Sequence, residues 1–550
     1  DMAGGGGAVT PYSRMVGFIY LFNLIVGVGA LTLPLVFQQA GFVLGIFLLT
    51  TLALLSFLGV TFMLEAMAAA NSELFVEEYK PLLSKKGSGT VNDLPVISGA
   101  ASAHSDDGES VSPYEIKQRA EFGMIARLFL PPLGQVAMYF ILVLYLYGDL
   151  AIYASSVPVS AAYFTGNTSI VMGQLVWTNN WSASANPLCV DHTCVDLYYF
   201  YLILFSAFVL PFCFFRFENT KPLQIITMAT RNIALISMIV VSLIYIGQGC
   251  PESCDASKGQ SIANNGSCCP TLASLTASRS IVNFEGLPFL FGAAIYSFMC
   301  THSLPSLITP IKNKRGLRSL LFADFMLILA VYITLCMSAL FAFDSRSLAP
   351  DCSDTSLSPC RLQQLYTLNF SNYHAKWLAD FLVLFPVFTL TTNFPLICIT
   401  LRNNLTTLVE TLIVFAQSRR GDKARNILTP YMSKGDDVLN KHIRRGVMPL
   451  AASIPPLVIA LLTKEVDTLV GITGSFAGIG VIFVFPAVFV IAVRRRKGGR
   501  AHKKEDRQYR EKYFRENVHS SPMKSDGWAY LLFVASVLSI PLAIWHLATS

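Results

Sequence analysis

Charged side chains are scarce in this sequence. Asp, Glu, Lys and Arg make up 14% of its 550 residues, where an ordinary soluble domain carries about 25%. A chain that is 53% hydrophobic and so poor in charge cannot cover its surface for water. Other absences narrow the class further. No stretch outside the apolar runs is large enough to build a soluble core. No C-x-x-C pair is matched by a second, so no metal site is expected. The net charge of +7 is distributed as a membrane topology would place it and is not a nucleic-acid signal.

What the chain has instead is long apolar runs. Crossing about 30 Å of hydrocarbon takes about 20 largely apolar residues. Eleven candidate runs occur, near 14–37, 42–70, 132–163, 197–217, 222–248, 284–309, 319–343, 376–401, 446–462, 467–493 and 527–548. The expected fold is therefore an all-α polytopic membrane protein of about eleven helices, in contact with a lipid bilayer. The start, Asp1 to Gly7, lacks the basic region and cleavage site of a signal peptide, so the first run is expected to stay in the membrane.

Charge sets the orientation. With residues 1–13 cytoplasmic, only Lys258, Arg279, Arg346, Arg361, Lys376 and Lys464 fall on the far side. The excess of Lys and Arg on the other side predicts a cytoplasmic N-terminus and a lumenal or extracellular C-terminus. Cysteines agree. Cys189, Cys194, Cys250, Cys254, Cys268, Cys269, Cys352 and Cys360 all lie in the far-side loops 164–196, 249–283 and 344–375, which points to intraloop disulfides in an oxidising compartment. The sequons at Asn167, Asn180, Asn265 and Asn369 share those loops and predict glycosylation there.

Spans 1–2 cover 14–70 and spans 3–10 cover 121–493. Between them, 71–120 is rich in Ser, Gly and acidic residues and reads as a disordered cytoplasmic loop. It opens with Glu78-Tyr79-Lys80-Pro81-Leu82-Leu83, which fits the acidic-dileucine and tyrosine patterns of sorting adaptors. Those adaptors are one expected partner, with a plasma or endolysosomal membrane as the destination. The segment 113–130 has helical apolar spacing and reads as an interfacial helix. A basic cytoplasmic loop, 494–526, precedes the last span at 527–550.

Chemistry has to sit inside the membrane part. Asn23-x3-Gly27-x-Gly29-Ala30 lies at mid-depth in the first span, where glycines favour a break in the helix or close packing. The sixth span carries Tyr296-Ser297-Phe298-Met-Cys300-Thr301-His302-Ser303-Leu-Pro305, small and polar residues ahead of a proline. Interrupted helices at positions one and six mark transporters of inverted five-helix repeats, with a site near the midplane. Asp149, in the third span, is an expensive carboxylate at that depth, and His302 is protonatable; each is a candidate coupling group. Thr389 to Asn393 supply oxygens that can ligate a hard cation or bond back to the preceding turn. Gly471 to Gly480 in the tenth span is chiefly a packing signal.

Asn23-x3-Gly27-x3-Leu31-x2-Pro34 resembles the first-span pattern of the amino acid/auxin permease family, the amino acid transporters. Phe22 to Gly27, Tyr145 to Tyr153, Tyr296 to Cys300, His302 to Pro310, Asn393 to Pro395, Leu401 to Asn404 and Leu469 to Gly474 resemble one distant branch of it. That resemblance implies a leucine-transporter-like inverted repeat of five plus five helices, with helices 1 and 6 broken and one helix added at the C-terminus. It implies a solute, in the first place an amino acid, held by Asn23, Gly27, Val28, Gly29, Ala30, Ser297, Phe298, Cys300 and Thr301. It also implies a coupling ion, sodium or a proton, with Asn23, Val26, Thr392 and Asn393 as the sodium ligands. No cofactor is expected. Two positions depart from the family: Asn393-Phe-Pro stands where many sodium-coupled members have Thr-x-Pro, and His302 stands where many have an acidic residue.

The function expected is secondary transport of an amino acid or similar small solute by alternating access. The alternative is a non-transporting sensor that signals through its cytoplasmic loops. An enzyme is not expected, since Asp149 lacks a facing aspartate in a comparable setting.

Overall fold

The computed structural model describes residues 11–84, 114–166, 169–171, 174–176, 187–190, 193–214, 221–248, 281–343, 362–371, 373–428, 439–440, 442–499, 517–541 and 544–545. Ser13 starts the first helix by capping the Val16 amide, and α1 (Arg14–Ile25) and α2 (Gly29–Ala40) follow. They are bent by 54° at Val26-Gly27-Val28. Then come α3 (Phe42–Ser84), α4 (Phe122–Phe129) and α5 (Pro132–Gly166). Two short hairpins follow: β1 (Ser169–Val171) with β2 (Gln174–Val176), and β3 (Pro187–Val190) with β4 (Thr193–Asp196). The chain continues through α6 (Leu197–Phe214), α7 (Lys221–Gln248), α8 (Leu287–Ser297), the single turn α9 (Leu304–Ile308) and α10 (Leu317–Phe343). It closes with α11 (Lys376–Leu428), α12 (Met448–Leu462), α13 (Val466–Thr473), α14 (Phe485–Gly499) and α15 (Asp526–Leu538).

Among the described residues eight helices are long and apolar enough to cross a membrane, nine with the bent pair counted as one. The two runs outside that set have physical reasons to fall short. The sixth is cut between α8 and α9 into pieces too short to span alone, and α15 has only 13 residues. The outer faces of α6 and α7 carry exposed Phe200, Ile203, Phe208, Ile236 and Leu243, as lipid contact requires.

Other expectations change in detail. The four strands lie between α5 and α6, where an all-α fold predicts none. Residues 71–84 continue α3 as helix, so Glu78, Tyr79, Leu82 and Leu83 sit on helical backbone rather than in a disordered loop. At the other end of that loop, Asn71 Oδ1 accepts the amides of Lys117 and Gln118 at 3.0 and 2.7 Å, and Tyr114, Ile116 and Ala120 are buried. A buried asparagine on α3 thus pins the return of the chain, and the interfacial helix is confined to α4. Loop residues 85–113 lie outside the described set.

The main apolar cluster of the helix core includes Leu33, Phe37, Phe62, Phe298, Phe325 and Phe394, and Ile413, Leu439 and Met448 form a small second one. Gly292, Gly471 and Gly474 allow α8 to lie directly on α13: a Cβ on Gly474 would collide with the Gly292 carbonyl, and one on Gly292 with the Gly471 carbonyl. The chain between α13 and α14 is wound as wide π turns at Gly474–Gly478 and Gly480–Val484.

Candidate functional site

The first and sixth spans run side by side in opposite directions and are joined at three levels. At one end the Tyr12 amide donates to the Pro310 carbonyl, and the Lys312 amide to Tyr12, both at 3.1 Å. At the other end the Asn283 amide donates to the Ala40 carbonyl at 2.8 Å and its side-chain amide to the Gln39 carbonyl. In the middle, where both helices are interrupted, Gly29 lies so close to Ser297 that a Cβ on the glycine would overlap the Ser297 side chain and stand 2.9 Å from its Cα. Gly29 is thus the point of close approach. Gly27 is different, because the nearest atom to a Cβ built there is the Ile25 carbonyl at 3.9 Å.

Ending a helix inside an apolar core leaves carbonyls without partners. Two side chains from neighbouring helices take them up. The Tyr332 hydroxyl, on α10, reaches the Ile25 carbonyl at 3.1 Å and the Ser297 carbonyl at 3.0 Å, so one buried group touches both broken ends. Arg231, on α7, donates through Nη1 to the Asn23 carbonyl at 2.7 Å and the Val26 carbonyl at 3.2 Å. Beside it, Asn232 Nδ2 donates to Asn23 Oδ1 at 2.7 Å. Sequence reasoning assigned no role to Tyr332 or Arg231. The available signal was Arg231 itself, a full charge well inside the apolar run 222–248.

The predicted residues distribute as follows. Val26, Gly27, Val28 and Ala30 line a cavity of about 20 Å³ together with Arg231, Met238, Phe385 and Thr389. That is room for a water and not for an amino acid, so a solute enters only if helices move. Thr392 does not line it, and its hydroxyl bonds back to the Phe388 and Thr389 carbonyls at 3.0 Å each. Asn393 is partly buried on the same helix. On the sixth span, Ser297 Oγ donates to the Ala293 carbonyl at 2.7 Å, Thr301 Oγ1 donates to the Val481 carbonyl at 2.9 Å, and Phe298 and Cys300 are fully buried.

Asp149 accepts a hydrogen bond from the Tyr296 hydroxyl, one residue before α8 ends. The Tyr145 ring lies 5.1 Å from that of His302, whose Nδ1 is buried without a hydrogen-bond partner among the described residues. Asp324, which reads as a span-end anchor, is fully buried, and neither of its oxygens has a partner among the described residues.

The cysteines and sequons of the loops between the helices are partly within the described residues. The backbone register of β3 and β4 sets Cys189 opposite Cys194. Cys250, Cys254, Cys268, Cys269, Cys352 and Cys360, and the sequons at Asn167, Asn180 and Asn265, fall outside the described residues. Asn369 is a correction: it is buried, and its Oδ1 accepts the Gln363 amide at 3.0 Å, so it does not present its side chain for glycosylation.

A family model described as transmembrane amino acid transporter protein matches residues 137–509. Similar proteins include human transmembrane protein 104, 37% identical with 94% of this chain and 92% of that protein covered. The Dictyostelium discoideum transmembrane protein 104 homolog is 34% identical over 99% of both chains. The Caenorhabditis elegans homolog is 32% identical over 88% of each. The chain belongs to the transmembrane amino acid transporter family, in the branch of the transmembrane protein 104 proteins.

Proposed function

We propose that the protein is a secondary transporter of amino acids or similar small solutes, working by alternating access across eleven spans arranged as a leucine-transporter-like inverted repeat. The observation that carries this reading is Tyr332, whose hydroxyl reaches the broken ends of spans one and six together. Irregular backbone at membrane depth is tolerated where protein buries it or a cavity borders it, and here both hold. Opposed half-helix ends offer donors and acceptors to a zwitterion without side-chain bulk. Membership of the amino acid transporter family supports the same class of solute.

In this reading the solute sits along Asn23 and Gly27 to Ala30, with Ser297, Phe298, Cys300 and Thr301 across the break. Asp149 and His302, both beside the sixth-span break, are the proton-coupling candidates. The N-terminus is cytoplasmic and the C-terminus lies on the far side, where Cys189 pairs with Cys194 and Asn167, Asn180 and Asn265 are glycosylated. A thermal-unfolding screen of the purified protein against the common amino acids tests the binding half of the proposal. At least one amino acid raises the unfolding midpoint, and Gly27→Leu, which fills the cavity, abolishes the rise. A screen in which none shifts it, with the protein folded, contradicts the reading. Binding without flux identifies a sensor instead.

A further inference from the structure

We propose that Arg231 is a tethered cation that stands in the position a coupling sodium ion would need, so that solute binding and transport do not depend on sodium. The inference rests on the transport reading above.

Arg231 lies ten residues into α7, about 15 Å along the helix axis. A guanidinium at such depth is costly and requires partners. Among the described residues no carboxylate forms an ion pair with it. Its partners are the Asn23 and Val26 carbonyls, oxygens at the C-terminal end of α1. That end carries the negative pole of the half-helix, so a positive charge is favoured there. The family resemblance puts a coupling sodium ion on Asn23, Val26, Thr392 and Asn393, so these carbonyl oxygens are among the ligands such an ion would need there. The Asn23 carbonyl already accepts from the Nη1 of a full positive charge at 2.7 Å, and a second positive charge at contact distance would be repelled. On the α11 side, Thr389 and Thr392 donate to the Phe385 and Phe388 carbonyls of their own helix at 2.9 and 3.0 Å. A positive charge and the donors that meet these carbonyls beside the first-span break are thus supplied by one side chain.

The competing role is an anchor for a solute carboxylate, since Nε and Nη2 have no hydrogen-bond partner among the described residues. The experiment separates the two, and its thermal half does not depend on flux. Full-length purified protein is unfolded thermally in sodium chloride and in choline chloride of equal ionic strength, and uptake into proteoliposomes is measured in the same two salts. Wild type shows the same midpoint and the same uptake in both. Arg231→Met lowers the midpoint in choline, and sodium restores part of the loss. Arg231→Lys, which keeps charge and donors, remains indifferent to sodium.

A wild-type protein that sodium stabilises over choline, or whose uptake disappears in choline, overturns the proposal. So does an Arg231→Met protein that matches wild type in both salts, or one that loses binding only of carboxylate-bearing solutes while remaining blind to sodium. Should Arg231→Met not fold, the wild-type and Arg231→Lys comparisons still decide. Absent flux with sodium-blind midpoints would count against transport alone, whereas sodium-dependent midpoints with measurable flux would count against Arg231 alone.

Discussion

Tyr332 is the residue on which both breaks converge, and its removal is the sharpest single-atom test of the site. Tyr332→Phe keeps the ring among Phe298 and its neighbours and deletes only the hydroxyl. Two buried carbonyls then share the loss of one donor, which costs about 1–3 kcal/mol. The expected outcome is a lower unfolding midpoint and weaker solute binding in a protein that still assembles. A midpoint equal to wild type would show that the hydroxyl does not hold the breaks.

A second residue-scale prediction concerns His519, in the segment between α14 and α15. Burial, with Lys314 and Arg318 nearby and Glu115 opposing them, pulls its pKa from 6.5 down to about 4. The unfolded chain therefore binds the proton more readily between those values. Stability is complete above about pH 6.5, falls as the pH drops toward 4, and levels off below. Hydrogen exchange of residues 517–523 should quicken over that range, and His519→Gln should flatten the response.

At the scale of helices, the glycines separate into two kinds that the sequence alone does not distinguish. Gly27 and Gly29 are two residues apart in one motif, and either a break or close packing accounts for both. The structure divides them, because Gly29 is pressed on Ser297 while a Cβ on Gly27 meets nothing closer than 3.9 Å and the residue lines the small cavity. Gly27→Leu is expected to fold and to lose solute binding. Gly29→Leu and Gly474→Leu are expected to fold poorly, since each drives a side chain into another helix, at a cost of about 1–3 kcal/mol or more. Fluorescence-detected size-exclusion chromatography distinguishes the outcomes: a monodisperse peak for Gly27→Leu and aggregation for the other two.

The same contrast shows what was legible. Breaks in spans one and six could be read from Asn23-x3-Gly27 and from the polar run ending at Pro305, because glycine and proline change local backbone cost. The partners that satisfy those breaks could not, because Tyr332 and Arg231 lie 307 and 208 residues from the carbonyls they bind at Ile25 and Asn23. Local pattern carries no record of such pairings. Asn369 failed for a related reason, since a sequon does not report whether its asparagine is buried. The extension of α3 through residue 84 was hidden because polar composition alone does not end a helix.

For the molecule as a whole, the closing element is the segment 517–523, which ties the last helix to the bundle. Glu65, buried on α3, receives Arg494 Nε and Nη2 at 3.1 and 2.9 Å and the Ser521 amide at 2.9 Å. Arg494 also bonds the Met523 carbonyl and pairs with Asp526 at 3.3 Å. Glu65 therefore lies nearly out of water at a junction of α3, α14 and the run into α15. Removing one partner of a buried pair leaves the other charge uncompensated, which costs about 3–5 kcal/mol. Glu65→Ala is expected to lower the unfolding midpoint and to expose 517–523 to protease, whereas Asp526→Ala, at the exposed end of the network, should do little.

The central claim is that the paired breaks form a site from which a solute is moved. Counterflow tests it most directly. Proteoliposomes are preloaded with the amino acid that shifts the unfolding midpoint, and entry of the labelled form is followed at equal pH on both sides. The account predicts saturable entry that exceeds that of empty liposomes and disappears in Gly27→Leu. Entry no faster than in empty liposomes, from a protein that still binds the same amino acid, would contradict it.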